Sequence, residues 1–136
     1  IGLETIDKNN KRRREIANYY MNNITSSNMI KPNYEDSRIS ASHFLPLFFH
    51  NRDEVYDCLK KNDIYCGMHY KRNDKYKVFS KYVKINNLVN SDWYEKHELT
   101  LPMHLFLKDE DLKLICSVIN GIENPAHAPR RKDEKK

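Results

Sequence analysis

Five large apolar side chains, Phe44, Leu45, Leu47, Phe48 and Phe49, stand together and run straight into a helix-opening sequence, and this stretch constrains the fold more than any other. Its length and aromatic content suit a half-buried or fully buried strand rather than a helix. Pro46 has no backbone N–H to give a sheet, so it points to an edge position or a local irregularity. Asn51 is a good helix N-cap, Asp53 and Glu54 put negative charge in the first turn, and Val55, Cys58 and Leu59 share one face. Asn62 and Asp63 can turn the chain out of that helix. Ile64, Cys66 and Met68 then alternate with Tyr65, Gly67 and His69 as a second strand would, delivering His69 and Tyr70 to its far end.

Around this strand–helix–strand unit the periodicity predicts further elements. Residues 1–24 read as one long helix with Leu3, Ile6, Ile16, Ala17, Tyr20, Met21 and Ile24 on one side. No cap precedes it, and the opening Ile-Gly reads as the interior of a longer polypeptide. Thr25 to Asn28 end the helix, and a loop passes through Lys31, Pro32 and Asn33. Beyond Tyr70, the polar run Lys71 to Lys75 is an exposed loop; Tyr76, Val78, Phe79 and Tyr82 then form either a short helix or irregular packing. Ser91 can cap a helix holding Trp93, Tyr94 and Glu95, and Glu98 to Leu101 is a short strand ended by Pro102. The last helix begins near Asp109, buries Leu112, Ile115, Cys116 and Ile119, and stops at Gly121. Three parts result: a joining helix over 1–24, a folded unit over 25–122, and a disordered tail over 123–136 rich in proline and charge. Strands alternating with helices predict an α/β or α+β fold of two layers, a small sheet covered on one side.

The chain has 136 residues, enough for one core without disulfides or metal. No apolar run approaches the ~18 residues needed to span a bilayer. The first residues lack a signal peptide's apolar centre, so the expected location is the cytoplasm. Three cysteines fit neither a disulfide framework nor a zinc pattern, and they read as core thiols. The formal net charge of +5 is concentrated in the run Lys11 to Arg14 and in the terminal tail. A nucleic-acid partner is therefore not expected.

His69, Tyr70, Lys71 and Arg72 are the most suggestive chemical group. An imidazole, a phenol and two cations at a strand end can bind an anionic, hydroxyl-rich ligand; the same residues can also be packing with polar tips at the surface. His104 follows a strand and precedes a helix, where sites gather, or it is a solvent-facing loop histidine. His43, His50 and His97 have no spaced partner for a metal, and glycine-rich phosphate loops and nucleophile signatures are absent. The residues alone do not define an active site.

The ordered segments KRRREIANYY, SHFLPLFFHNRDEVYDCLKKNDIYCGMHY and WYEKHELTLPMHLFLKDEDLKLICSVI resemble the C-terminal third of the DegT/DnrJ/StrS sugar aminotransferases. The likeness covers about residues 1–122 and rests on Arg13 to Ala17, His43, Asn51 to Glu54, Gly67 to Tyr70 and Leu101 to His104. It implies the two-layer small domain of a fold type I enzyme, with a largely antiparallel sheet covered by helices. It also implies pyridoxal phosphate (PLP) as cofactor of the full-length parent, a nucleotide-linked keto sugar as substrate, an amino donor, and a homodimer. The Schiff-base lysine and phosphate contacts belong to the preceding large domain, so the chain alone is expected neither to hold the cofactor nor to transaminate. His69 and Tyr70 match the family's HY, which implies a place in the substrate cleft, joined by Lys71 and Arg72 through their chemistry. After that pair the family continues with a proline segment and another histidine, whereas this chain has Lys71 to Lys75. A stand-alone anion- or RNA-binding module built on Lys11 to Arg14 and the Lys71 loop, or a protein-interaction module, is the alternative.

Overall fold

The computed structural model describes residues 2–32, 39–79, 81–82 and 87–122. A single 3-10 turn at Leu3–Thr5 leads into helix α1, Ile6–Asn23. There follow strand β1 (Met29–Ile30), strand β2 (Pro46–Phe49), helix α2 (Arg52–Lys61), helix α3 (Val89–His97), strand β3 (Glu98–Thr100) and helix α4 (Asp109–Asn120). Among the described residues the strands form one antiparallel sheet in the order β1-β2-β3. The fold is α+β.

Alternation along β2 decides which side of the sheet is the core. Leu47 and Phe49 are fully buried and face the same way, with Leu99 of β3 paired to Leu47. They meet Val55 and Leu59 of α2, Ile16, Ala17 and Tyr20 of α1, and Leu112, Ile115 and Ile119 of α4 in one cluster. Tyr20 is fully buried, and its hydroxyl donates to the Pro102 carbonyl at 3.0 Å, so the phenol is not left unsatisfied. Phe48 points to the opposite face and packs against Trp93 and Tyr94 of α3, with ring centroids 5.1 and 5.2 Å apart. Three helices thus cover one face and α3 lies on the other.

Several sequence expectations change. Strand β2 is central in the sheet, but β1 pairs only with Phe48 and Phe49, so Pro46, the first residue of the strand, has β3 as its one strand neighbour among the described residues, a place a residue without an N–H can occupy. The edge is β1, which the sequence reading passed over as loop. It pairs Met29 with Phe49 and is held from outside by fully buried Asn28, whose side-chain oxygen accepts the Asn51 N–H at 2.9 Å. The apolar side expected along the first helix is buried only in its second half: Leu3 and Ile6 are exposed, while Ile16, Ala17, Tyr20 and Ile24 lie in the core. Helix α3 starts at Val89, so Ser91 lies inside it and does not cap it. Asn51 is the N-cap of α2 by position, but its amide donates to Glu54 at 2.9 Å instead of accepting from the first turn. Residues 76–79 and 81–82, whose form was left open, lie in turns, with Phe79 N–H bonded to Tyr76 O and Tyr82 N–H to Phe79 O. The expected tail at 123–136 lies outside the described residues.

The second predicted strand is the largest correction. Asp63 takes a left-handed φ of 58°, the chain turns as expected, and Gly67 then bridges Thr100 through both backbone bonds, at 3.0 and 2.8 Å. One rung is all that forms. In a continued ladder the next donor, the His69 N–H, would bond the Glu98 carbonyl. The Glu98 side chain takes that N–H at 2.8 Å, and the Glu98 carbonyl accepts from Arg52 at 3.2 Å. A side chain has replaced the ladder.

Cys116 lies in the core, and Cys58 and Cys66 are half-buried against it. Burial pushes the Cys66 thiol up to about 12 and that of Cys116 up to about 11, so both stay protonated near neutrality.

Candidate functional site

Three distant parts of the chain meet above the outer edge of β3. His43 and Phe44 lead into β2, Tyr65, Gly67 and His69 come from the bridged segment, and residues 100–104 continue β3. With Arg13 of α1 they line an open depression of about 410 Å³. It brings together His43, His69 and His104, which are far apart in the sequence. Among the described residues no group of three or more His, Cys, Asp or Glu side chains is placed to hold a metal ion.

His69 is the best-held member. Its ring Nδ1 lies 2.9 Å from Thr100 Oγ1, and the Thr100 hydroxyl donates to Glu98 Oε1 at 2.6 Å. Glu98 is 2% exposed and also accepts the His69 backbone N–H. Phe44 flanks the imidazole at 5.6 Å and Tyr70 meets it edge-on at 4.8 Å. Gly67 makes room beneath: a Cβ there would stand 2.5 Å from His69 Cε1. Glu98 and Thr100 escaped the sequence reading. The signal was period-two alternation, which sets Leu99 toward the core and its two polar neighbours together on the other face.

Of the four residues singled out from the sequence, His69 alone lines this depression. Tyr70, largely exposed, and Lys71 line the rim of another hollow of about 780 Å³ with Arg72, Asn73, Asp74, Leu88, Asn90, Ser91 and Tyr94. Lys71 Nζ lies 5.2 Å from the Tyr76 ring centre. Arg72 is engaged within the chain. Its guanidinium pairs with Asp74 and Asp92, while Lys75 pairs with Glu95 and stands 3.4 Å from Asp92. The Arg72 side chain is only 10% exposed. The guanidinium holds the Asp74 and Asp92 carboxyls below the usual carboxylate range, and Glu95 holds the Lys75 ammonium above its usual range. The earlier basic run is likewise occupied: Arg12 bonds the Leu107 carbonyl at 2.8 Å and Arg13 bonds Asn10 at 3.0 Å.

Among the described residues, the lining of the His69 depression contains no lysine and no carboxylate. It can position hydroxyl and amino groups by hydrogen bonds. It cannot supply an amine for imine formation or an acid to face a pyridine nitrogen, so on this chain's own residues it does not fit PLP.

A family model described as the DegT/DnrJ/EryC1/StrS aminotransferase family matches residues 1–120. A curated relative, UDP-4-amino-4,6-dideoxy-N-acetyl-beta-L-altrosamine transaminase of Campylobacter jejuni, is 26% identical over 126 residues. That match takes in 88% of this chain and 34% of the relative, so the chain spans about a third of the length of such proteins. Among solved structures, a DegT DnrJ EryC1 StrS aminotransferase from Brucella abortus superposes with a TM-score of 0.77 at 25% identity, over 88% of this chain and 32% of that one. The aminotransferase TlmJ from Streptoalloteichus hindustanus gives 0.78 at 22% identity, over 87% and 32%.

Proposed function

Because the chain belongs to the DegT/DnrJ/EryC1/StrS aminotransferase family over residues 1–120, we propose that it is the small domain of a PLP-dependent aminotransferase acting on a nucleotide-linked keto sugar. In this reading it forms one wall of the substrate cleft in a cytoplasmic homodimer, and a separate, larger part of the polypeptide carries the cofactor and the reactive lysine. The observation that carries it is the depression where His43, His69 and His104 meet Arg13, polar groups suited to a hydroxyl-rich ligand and lacking any group that could react with the cofactor. In this reading His69 lines the cleft, with Tyr70, Lys71 and Arg72 on the adjoining rim, where Lys71 would meet phosphate charge and Arg72 would hold the rim in shape. The internal engagement of Arg12, Arg13, Arg72 and Lys75 speaks against the alternative of a nucleic-acid module.

Two measurements test this reading. The 136-residue chain mixed with PLP is expected to show no visible imine absorbance and no lysine adduct after borohydride reduction. A full-length protein containing this domain is expected to transfer an amino group to a nucleotide-linked keto sugar, with His69→Ala raising KM. A stable imine on the isolated chain, or a full-length protein without transaminase activity, overturns the reading.

A further inference from the structure

The hydrogen bonds beneath the depression decide which nitrogen of His69 faces a ligand. A hydroxyl has one proton, and the 2.6 Å contact places that of Thr100 on Glu98 Oε1. Thr100 Oγ1 can then only accept from His69 Nδ1 at 2.9 Å, so Nδ1 carries the hydrogen. Glu98 accepts at both oxygens, the second taking the His69 backbone N–H. Arg52, Lys71 and Glu95 share its small cavity of about 200 Å³. Gly67 lets the imidazole settle at this depth, since a Cβ there would collide with it. Among the described residues Nε2 has no hydrogen-bond partner.

We infer that Glu98 and Thr100 are positioning residues that hold His69 as its Nδ1–H tautomer, so that the depression offers an imidazole lone pair and takes a ligand group that donates a hydrogen bond. A sugar hydroxyl or an amine meets that demand. A phosphate oxygen, which only accepts, does not. The tautomer follows from this chain's geometry alone, whereas the sugar as the source of the hydroxyl rests on the function proposed above. A free histidine side chain in water favours the hydrogen on Nε2, so the network reverses a default, and that reversal can be measured.

The experiment is long-range proton–nitrogen correlation on the chain with 15N-labelled histidine, the His69 signals being assigned by their loss in His69→Gln. At about pH 8, above the ordinary imidazole range near 6.5, Nδ1 should be protonated and Nε2 bare. Thr100→Ser keeps the acceptor and should keep the pattern. Thr100→Val has nearly the same shape without the oxygen and should lose it, moving the hydrogen toward Nε2. Dimethyl phosphate, a diester with no P–OH hydrogen, should leave the ring signals in place at the same pH. Hydrogen on Nε2 in the unaltered chain, an unchanged pattern in Thr100→Val, or a saturable shift with dimethyl phosphate overturns the inference. Should the Val variant fail to fold, the unaltered chain and the Ser variant decide. The outcome is separable from the proposed function: a protonated Nδ1 in a chain whose full-length form has no transaminase activity upholds the tautomer and removes the enzyme.

Discussion

Gly67 shows how a residue can be required for what lies above it. Its backbone needs no left-handed angle, yet a Cβ would reach within 2.5 Å of the His69 ring, tighter than any ordinary contact. The ring cannot yield freely, because Nδ1 is held by Thr100 and Phe44 and Tyr70 flank it. Gly67→Ala should therefore destabilise the fold by about 1–3 kcal/mol, the usual range for overpacking. Denaturant midpoints measure this. A variant as stable as its parent would mean that the imidazole moves aside at no cost, and that the site is looser than its hydrogen bonds suggest. Of the two facts that define this residue's role, the glycine was visible in the sequence and its neighbour was not.

Among the described α-helices, α3 is the one least anchored by burial, with no buried side chain of its own. It is tied to the turn at Asn73–Lys75 by charge, through Arg72 with Asp92 and Lys75 with Glu95, and to the sheet by the contacts of Trp93 and Tyr94 with Phe48. Because the folded Asp74 and Asp92 carboxyls lie low, their contribution is complete above the unfolded carboxylate range, near 3.9, and is lost as the pH falls through the depressed folded values. The raised Lys75 contributes below the ordinary lysine range and is lost only as the pH rises through its folded value. The tether is thus whole across the neutral range. Carboxyl NMR titration should find Asp74 and Asp92 below their ordinary range, with Arg72→Gln returning both toward it. Ordinary values in the unaltered chain would mean that α3 is held by its aromatic contacts alone. The sequence showed the helix but not the tether, because charges in a polar loop look alike whether solvated or paired.

For the whole molecule the question is what its uncovered apolar surface meets. Leu3 is 81% exposed and Ile6 43%, on the half of the first helical segment that leaves the core, while the chain spans about a third of its curated relative. In a full-length protein we expect the larger part to cover this end. In the isolated chain the same side chains favour self-association. Sedimentation should show dimers that grow with concentration and recede in a Leu3→Lys, Ile6→Lys variant. A strict monomer at high concentration would mean that this exposure drives no association. No helix among the described residues is long and apolar enough to cross a membrane.

The sequence by itself determined the helices α2 and α4, the buried strand through Leu47 and Phe49, and the family to which the chain belongs. Each of these is written in local periodicity or in the order of short segments, which survive without knowledge of neighbours. Tertiary structure decided that Pro46 opens a central strand, that the segment after Asp63 keeps one rung of a ladder, and that His69 parts company with Tyr70 to join His43 and His104. These outcomes depend on which groups compete for the same hydrogen bond across space. Glu98 takes the His69 N–H only because folding carries a residue 29 positions away to within 2.8 Å of it, a fact that no local pattern encodes.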